Sequence, residues 1–168
     1  MIALNDFYGF DQTPFTKSIA TGNLYRSRGH QEVQGRLTFA INERLPALIT
    51  GDVGTGKSTA LRAFVHSLDR NAHRVVYLSN PSLTTPSLYR QIMVALQVEP
   101  AFGFRRLLPQ FHATVADLAR KGRSVLLIVD EAHLLPGDLF HQLRFLLNQG
   151  MDSISSLTLV LLGQPDLV

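Results

Sequence analysis

An α/β fold, with a parallel sheet between layers of helices and a phosphate-binding loop at its carboxyl edge, is what this sequence predicts. Three observations predict it. Short apolar runs at Ala47–Thr50, Val75–Leu78, Val125–Val129 and Leu157–Leu162 alternate with stretches whose apolar residues recur at helical spacing. The run Gly51-Asp52-Val53-Gly54-Thr55-Gly56-Lys57-Ser58 fits G-x-x-x-x-G-K-[ST] and stands between a strand and a helix. The aliphatics Val125 to Val129 end in Asp130-Glu131, as a strand buried on both faces delivers polar groups to the sheet's carboxyl end.

The elements follow in order. Residues 1–30 carry Phe7, Tyr8, Phe10, Phe15 and Tyr25 with Pro14 and several glycines, without periodicity. This segment is expected to pack on the core through its aromatics, and residues 31–168 to form the core. Gly29 to Leu45 reads as a helix with Val33, Leu37, Ala40 and Ile41 on one face. Ala47 to Thr50 reads as a buried strand. Past the glycine loop, Ala60, Leu61, Phe64, Val65 and Leu68 mark the next helix. Asn71 to Arg74 reads as a turn and Val75 to Leu78 as a second buried strand. Pro86 and Ser87 open a helix to Val98, with Leu88, Ile92, Ala95 and Leu96 inward. A further helix runs from about Arg105 to Lys121, with Pro109 in its first turns and Gly122 placed to end it. Asp138 is expected to cap the helix that buries Leu139, Leu143, Leu146 and Leu147, and Gly150 to close it. Leu157 to Leu162 is the fourth strand. The chain ends at Val168, soon after a central strand, and is expected to be part of a longer unit.

Composition narrows the function classes. With 45% apolar residues the chain can bury a core. It has no cysteine, which removes disulfide frameworks and cysteine metal sites and suits the cytoplasm. Asn5, Asp6 and Asp11 interrupt any secretory leader, and no apolar run approaches a membrane span. The net charge of +3 and pI near 9.6 are compatible with a nucleic-acid partner. Arg105-Arg106 and Arg120, Lys121 and Arg123 are candidate phosphate contacts or a plain solvated face.

The glycine loop carries the chemistry. A polyphosphate needs backbone N–H groups at close range, and glycine permits both the turn and the approach. Gly51, Asp52, Val53, Gly54, Thr55, Gly56, Lys57, Ser58 and Thr59 are the candidate nucleotide contacts. Lys57 can reach the β- and γ-phosphates, and the Ser58 hydroxyl can ligate Mg²⁺. Asp130 can hold the same Mg²⁺ through its water shell, and Glu131 can act as general base on the attacking water. His133 follows; the six histidines show no metal-ligand spacing, so it reads as a neighbour of the site. Asp-Glu-Ala-His also occurs in helicases, which need a second motor domain. Asn80, at the end of the second strand, fits either a side chain that holds Glu131 from water or a turn residue before Pro81. Gln164 follows the fourth strand between Gly163 and Pro165. A contact to the γ-phosphate or the attacking water is favoured there over turn chemistry. No acceptor-site signature marks a kinase, and no Asn-Lys-x-Asp motif marks a GTPase.

These residues carry a family resemblance over essentially the whole chain. Phe7-Tyr8-Gly9-Phe10, Pro14-Phe15, Leu24-Tyr25, His30-Gln31-Glu32, the glycine loop, Asp130-Glu131-Ala132-His133 and Gly163-Gln164-Pro165 resemble the ExeA-type AAA+ ATPases. That group is related to the transposition ATPases TniB, TnsC and MuB. The resemblance implies a P-loop core with sheet order 5-1-4-3-2, Asn80 as the glutamate switch and Gln164 near sensor 1. It also implies that Leu24 to Glu32 lies over the adenine, with Arg28, His30 and Gln31 as candidate contacts. The family's arginine finger, fifth strand and lid would follow Val168, leaving the first strand at a sheet edge. The chain is therefore expected to bind ATP or ADP better than it hydrolyses ATP. The expected setting is a homo-oligomer of the full-length protein on duplex DNA with a transposase or other protein client, without membrane contact. The alternatives are a secretion-pathway ATPase that drives envelope-complex assembly and a nucleotide-gated switch with little turnover.

Overall fold

The computed structural model describes residues 4–10, 16, 19–79, 84–147 and 157–167. Asn80, Pro14, Phe15 and Gly150 lie outside them. The described helices are α1 (Leu4–Tyr8), α2 (Arg28–Asn42), α3 (Lys57–Ser67), α4 (Thr85–Ala95), α5 (Phe104–Arg120) and α6 (Gly137–Leu147). The strands are β1 (Ala47–Thr50), β2 (His73–Leu78), β3 (Ser124–Val129) and β4 (Leu157–Gly163).

All strand pairs are parallel, in the order β1-β4-β3-β2. This is the expected α/β architecture, and the order of the four strands agrees with 1-4-3-2. Every β3 residue from Val125 to Val129 is buried, because helices cover both its faces. On one face Leu126, Ile128, Val160 and Leu162 pack with Leu37 and Ile41 of α2 and Leu61 and Phe64 of α3. On the other, Val76, Val125, Leu127 and Leu159 pack with Ile92 of α4, Phe111 of α5 and Leu143 of α6. The alternation of faces follows from the two-residue period of a strand.

Several boundaries and burials differ from expectation. β1 and β2 are the outer strands, so both alternate between covered and exposed residues and are not buried throughout. His73 and Arg74, expected in a turn, pair with Ser124 and Val125 and start β2. Ala95 is exposed, while Tyr89 and Met93 join Leu88 and Ile92 in the core. Pro109 sits inside α5, which starts at Phe104. Asp138 is the second residue of α6, which starts at Gly137, and so lies inside the helix it was expected to cap. Gly122 does end α5: at φ +71° it lets its own N–H reach Ala119 O (2.9 Å) and the Arg123 N–H reach Leu118 O (2.9 Å).

Phe7 packs edge-on to Tyr8 and Tyr8 stacks on Phe10, while all three stay exposed. Further along, the Arg62 guanidinium donates to Ile19 O (3.0 Å) and joins the segment to α3. Ser27 caps α2, its Oγ accepting the His30 N–H at 3.2 Å.

Candidate functional site

The glycine loop leaves the carboxyl end of β1 and enters α3 at Lys57. Gly54 and Gly56 hold φ of +83° and +88°, and Gly56 is the N-cap of α3. A Cβ at Gly51 would stand 3.1 Å from Thr55 Oγ1, so a side chain there would crowd the hydroxyl that braces the loop. Thr55 Oγ1 donates to Asp52 O (2.8 Å) and braces the turn. Lys57 Nζ donates to Gly51 O (2.6 Å) and Asp52 O (2.8 Å), so its ammonium lies against the loop. The first N–H groups of a helix have no partner within it and point back past its N-terminus, here toward the glycine loop. Positive-φ glycines, a lysine and a helix N-terminus make a cradle that fits a polyphosphate.

A cavity of about 470 Å³ continues from this cradle. Tyr25, Gly29, His30 and Val33 wall it on one side, and Thr50, Lys57 and Thr59 on the other. Gln34 holds that wall in place: its Nε2 donates to Ala60 O of α3 at 2.8 Å. Of the three expected adenine contacts, His30 lines this cavity. Gln31 instead lines a separate cleft with Thr21 and Leu24, and its amide donates to Arg26 O at 3.2 Å. Arg28 is exposed and lines neither. Tyr25 is 88% exposed, an aromatic face open to a flat ligand. Sequence reasoning did not single out Tyr25 and Val33 as cavity residues; the signal was that Tyr25 lies within the Leu24-to-Glu32 stretch and Val33 directly follows it.

On the far side of α3 a trough of about 500 Å³ runs between Ser58, Leu61 and Val65 of the helix and Val75, Tyr77 and Ile128 of the sheet. Ser58 of the glycine loop and Tyr77 of β2 share it. Tyr77 Oη donates to Asp130 Oδ2 at 2.5 Å, and the Glu131 N–H donates to Asp130 Oδ1 at 2.9 Å. Both carboxylate oxygens of Asp130 are thus oriented. Burial first, then the bond to Asp130 and the charges of Asp130 and Glu131, raise the Tyr77 pKa well above the ordinary tyrosine value. Its phenol therefore stays a donor. Sequence reasoning missed Tyr77; the signal was its two-residue step from Val75, which puts it on the α3 side of β2.

Glu131 holds φ +51°, a left-handed conformation rare for a side chain of this kind. The bend turns the chain from β3 into a 3₁₀ turn, Ala132–Leu134, and keeps the carboxylate half-exposed. His133 on that turn is nearly covered and reaches toward Gln164 at the end of β4. Among the described residues no group of three or more His, Cys, Asp or Glu is arranged to hold a metal ion by itself. Ser58 and Asp130 would offer two oxygens to a Mg²⁺ that a nucleotide's phosphates and water complete. No described helix is long and apolar enough to cross a membrane.

Residues 41–168 match the AAA domain family. The chain belongs to the AAA domain family. This AAA domain is 36% identical over 165 residues to General secretion pathway protein A of Aeromonas hydrophila, matching 96% of this chain and 30% of that protein. The chain thus spans about a third of the relative it matches, and the ExeA-type resemblance holds. Among solved structures, Cdc6p from Pyrobaculum aerophilum superimposes with a TM-score of 0.66 at 22% identity, over 92% of this chain and 42% of that one. Drosophila ORC bound to DNA gives 0.67 at 19% identity, over 89% and 40%. At those identities the likeness is one of fold.

Proposed function

We propose that this AAA domain binds Mg-ATP in the cradle of Gly51 to Thr59 and hydrolyses it, and that the nucleotide state governs assembly on a partner. The observation that carries the reading is the convergence of two motifs. Ser58 at the N-terminus of α3 lines one trough with Tyr77, and the Tyr77 hydroxyl donates to Asp130 at the end of β3. The phosphates lie on the α3 amides and Lys57, and the base lies in the cavity walled by Tyr25, His30 and Val33. That gives the segment before residue 31 a share in the nucleotide site. Mg²⁺, held from Ser58 and Asp130, neutralises phosphate charge. Glu131 takes the proton of the attacking water, and Gln164 meets the water or the γ-phosphate.

The partner has two readings. The 36% relative named General secretion pathway protein A supports a secretion-pathway ATPase acting on an envelope complex from the cytoplasmic side. The basic pI supports a DNA-linked, transposition-type role in a homo-oligomer with a protein client. The basic clusters lend the second reading limited support. Arg105 and Arg106 open α5 and Arg120 closes it, about 20 Å apart at 1.5 Å per residue. Arg120 and Lys121 also pair with Asp117, at 3.3 and 2.6 Å.

ATP turnover tests the whole. The Glu131→Gln variant should keep nucleotide affinity and lose turnover by about 10²- to 10⁴-fold. Lys57→Ala should lose affinity itself. Equal turnover by wild type and both variants would overturn the reading. Stimulation by duplex DNA that fades with salt would select the DNA-linked role; turnover indifferent to DNA would select the secretion role.

A further inference from the structure

At the amino end of β2, away from the glycine loop, the apolar layers of both sheet faces reach the surface in one cleft of about 490 Å³. Val65, Leu68 and Val75 belong to the layer on the α3 face, and Leu96, Val98 and Leu118 to the layer on the other. All six are half-buried. The charged lining is Arg70, Arg74, Lys121 and Arg123 against one carboxylate, Asp117. The cleft thus carries as much net positive charge as the whole chain, +3. Asp117 is already taken by Lys121 at 2.6 Å and Arg120 at 3.3 Å. Among the described residues no ion pair reaches the guanidinium of Arg70, Arg74 or Arg123. Nor do helix ends need them. α3, α4 and α5 all finish at this cleft, but backbone N–H groups already reach their last carbonyls. Leu68 donates to Val65 O (3.4 Å), Val98 to Met93 O (3.0 Å) and Arg123 to Leu118 O (2.9 Å). Gln97 takes the left-handed position after α4 at φ +62°, where glycine is usual, and so places an amide on the cleft wall. Across the β2–β3 pair His73 Nδ1 and Ser124 Oγ stand 2.7 Å apart and fasten the same end of the sheet.

We propose that this cleft docks an acidic segment of a partner protein, whose apolar side chain enters the cleft between carboxylates that meet the arginines. The proposal rests on the reading that the domain assembles on a partner. Charge complementarity selects the occupant. A guanidinium pairs a carboxylate through two parallel N–H donors, and three guanidiniums here are without such a partner. The apolar lining gains by covering an aliphatic or aromatic side chain. A cleft of about 490 Å³ holds a short segment, not a folded domain. A DNA duplex matches only half of these features. Its charge runs along its outer backbone, so it would meet the arginines and leave the apolar lining in water. The cleft also lies at the other end of α3 from the cradle. Lys57 opens that helix at the glycine loop, and Val65, near its end, lines the cleft; its 11 residues span about 16 Å. Nucleotide and segment therefore occupy separate sites on one helix.

Fluorescence polarisation on this chain tests the proposal with short labelled peptides. The probe carries glutamates around a central pair of leucines; one control replaces the glutamates with glutamine, the other the leucines with serine. The probe should bind, and each control should bind at least about tenfold more weakly. Arg70→Glu joined with Arg74→Glu, both at exposed positions, should weaken the probe at least about tenfold. ATP affinity of that variant should stay within about twofold of wild type, because the cradle is remote. The same variant should bind a peptide with lysines in place of the glutamates, which tells a lost charge match from a lost fold. No binding of the probe, equal binding of the glutamine control, or equal binding of the probe by the charge-reversed variant would each overturn the proposal. A short DNA duplex that bound as tightly as the probe and failed on that variant would overturn it in favour of nucleic acid. Loss of ATP binding by wild type would instead overturn the nucleotide reading. Peptide and ATP binding are measured separately, so the two failures are distinguishable.

Discussion

One phenol hydroxyl governs how Asp130 is presented. Tyr77 is 50% exposed, yet it fixes Oδ2 of a carboxylate whose other oxygen is fixed by the Glu131 N–H. A hydrogen bond to a charged group contributes about 1.5–3 kcal/mol when sheltered, and solvent on this tyrosine trims that to about 1 kcal/mol. Tyr77→Phe should therefore lower the unfolding free energy by that amount, read as a lower urea midpoint at unchanged slope; an unmoved midpoint would show the bond to be worth nothing. The sign with pH follows from the raised pKa. A raised phenol pKa leaves the stabilisation whole below the unfolded value of about 10 and lost above the folded one. The stability gap between wild type and Tyr77→Phe should thus stay flat from about pH 6 to about pH 9. A gap that closed within that range would count against Tyr77 as the donor. Neither this bond nor the left-handed Glu131 was legible in the sequence, because side chains of neighbouring strands far apart in the chain meet only once the register is set. The carboxylates themselves were legible, since a buried aliphatic run ending in acid is a local pattern.

At the scale of elements, α3 and α5 show opposite relations between sequence and structure. α3 begins where its motif ends, and its cap, Gly56 at φ +88°, is already written in the glycine spacing. Gly56→Ala should lose about 1–2 kcal/mol of stability, because a left-handed Cβ meets its carbonyl, and should weaken ATP binding further by deforming the cradle. Denaturant unfolding and nucleotide titration read the two effects separately; unaltered unfolding would show that the loop relaxes at no cost. α5 instead runs through Pro109. Proline has no N–H for the Arg105 carbonyl, yet Leu107, Phe111 and Val115 on one buried face hold the helix together. Packing outweighed the breaker, which is why the start of this helix was blurred in the sequence. Pro109→Ala should add about 1 kcal/mol by restoring that bond, seen as a higher denaturation midpoint; a lower midpoint would mean that the proline's rigidity matters more.

For the molecule as a whole, strand order decides what is covered. Among the described residues β1 pairs only with β4, and Leu48 on its outer part is 48% exposed. An edge strand with a bare leucine invites pairing between copies. Leu48→Lys should suppress concentration-dependent association in sedimentation while moving the melting temperature by a few degrees at most. Equal association by both forms would place the contact elsewhere. The α/β class, the phosphate cradle and the carboxylate pair were all determined by the sequence alone. Each depends on residues within one short stretch, where spacing and periodicity carry the physics. The tertiary structure decided the rest: which strands lie outside, which of Arg28, His30 and Gln31 reaches the cradle, that Tyr77 holds Asp130 and that His133 meets Gln164. Those contacts join residues 53 and 31 positions apart. Such pairs depend on how the sheet is ordered, and that order is set by the joint burial of both its faces.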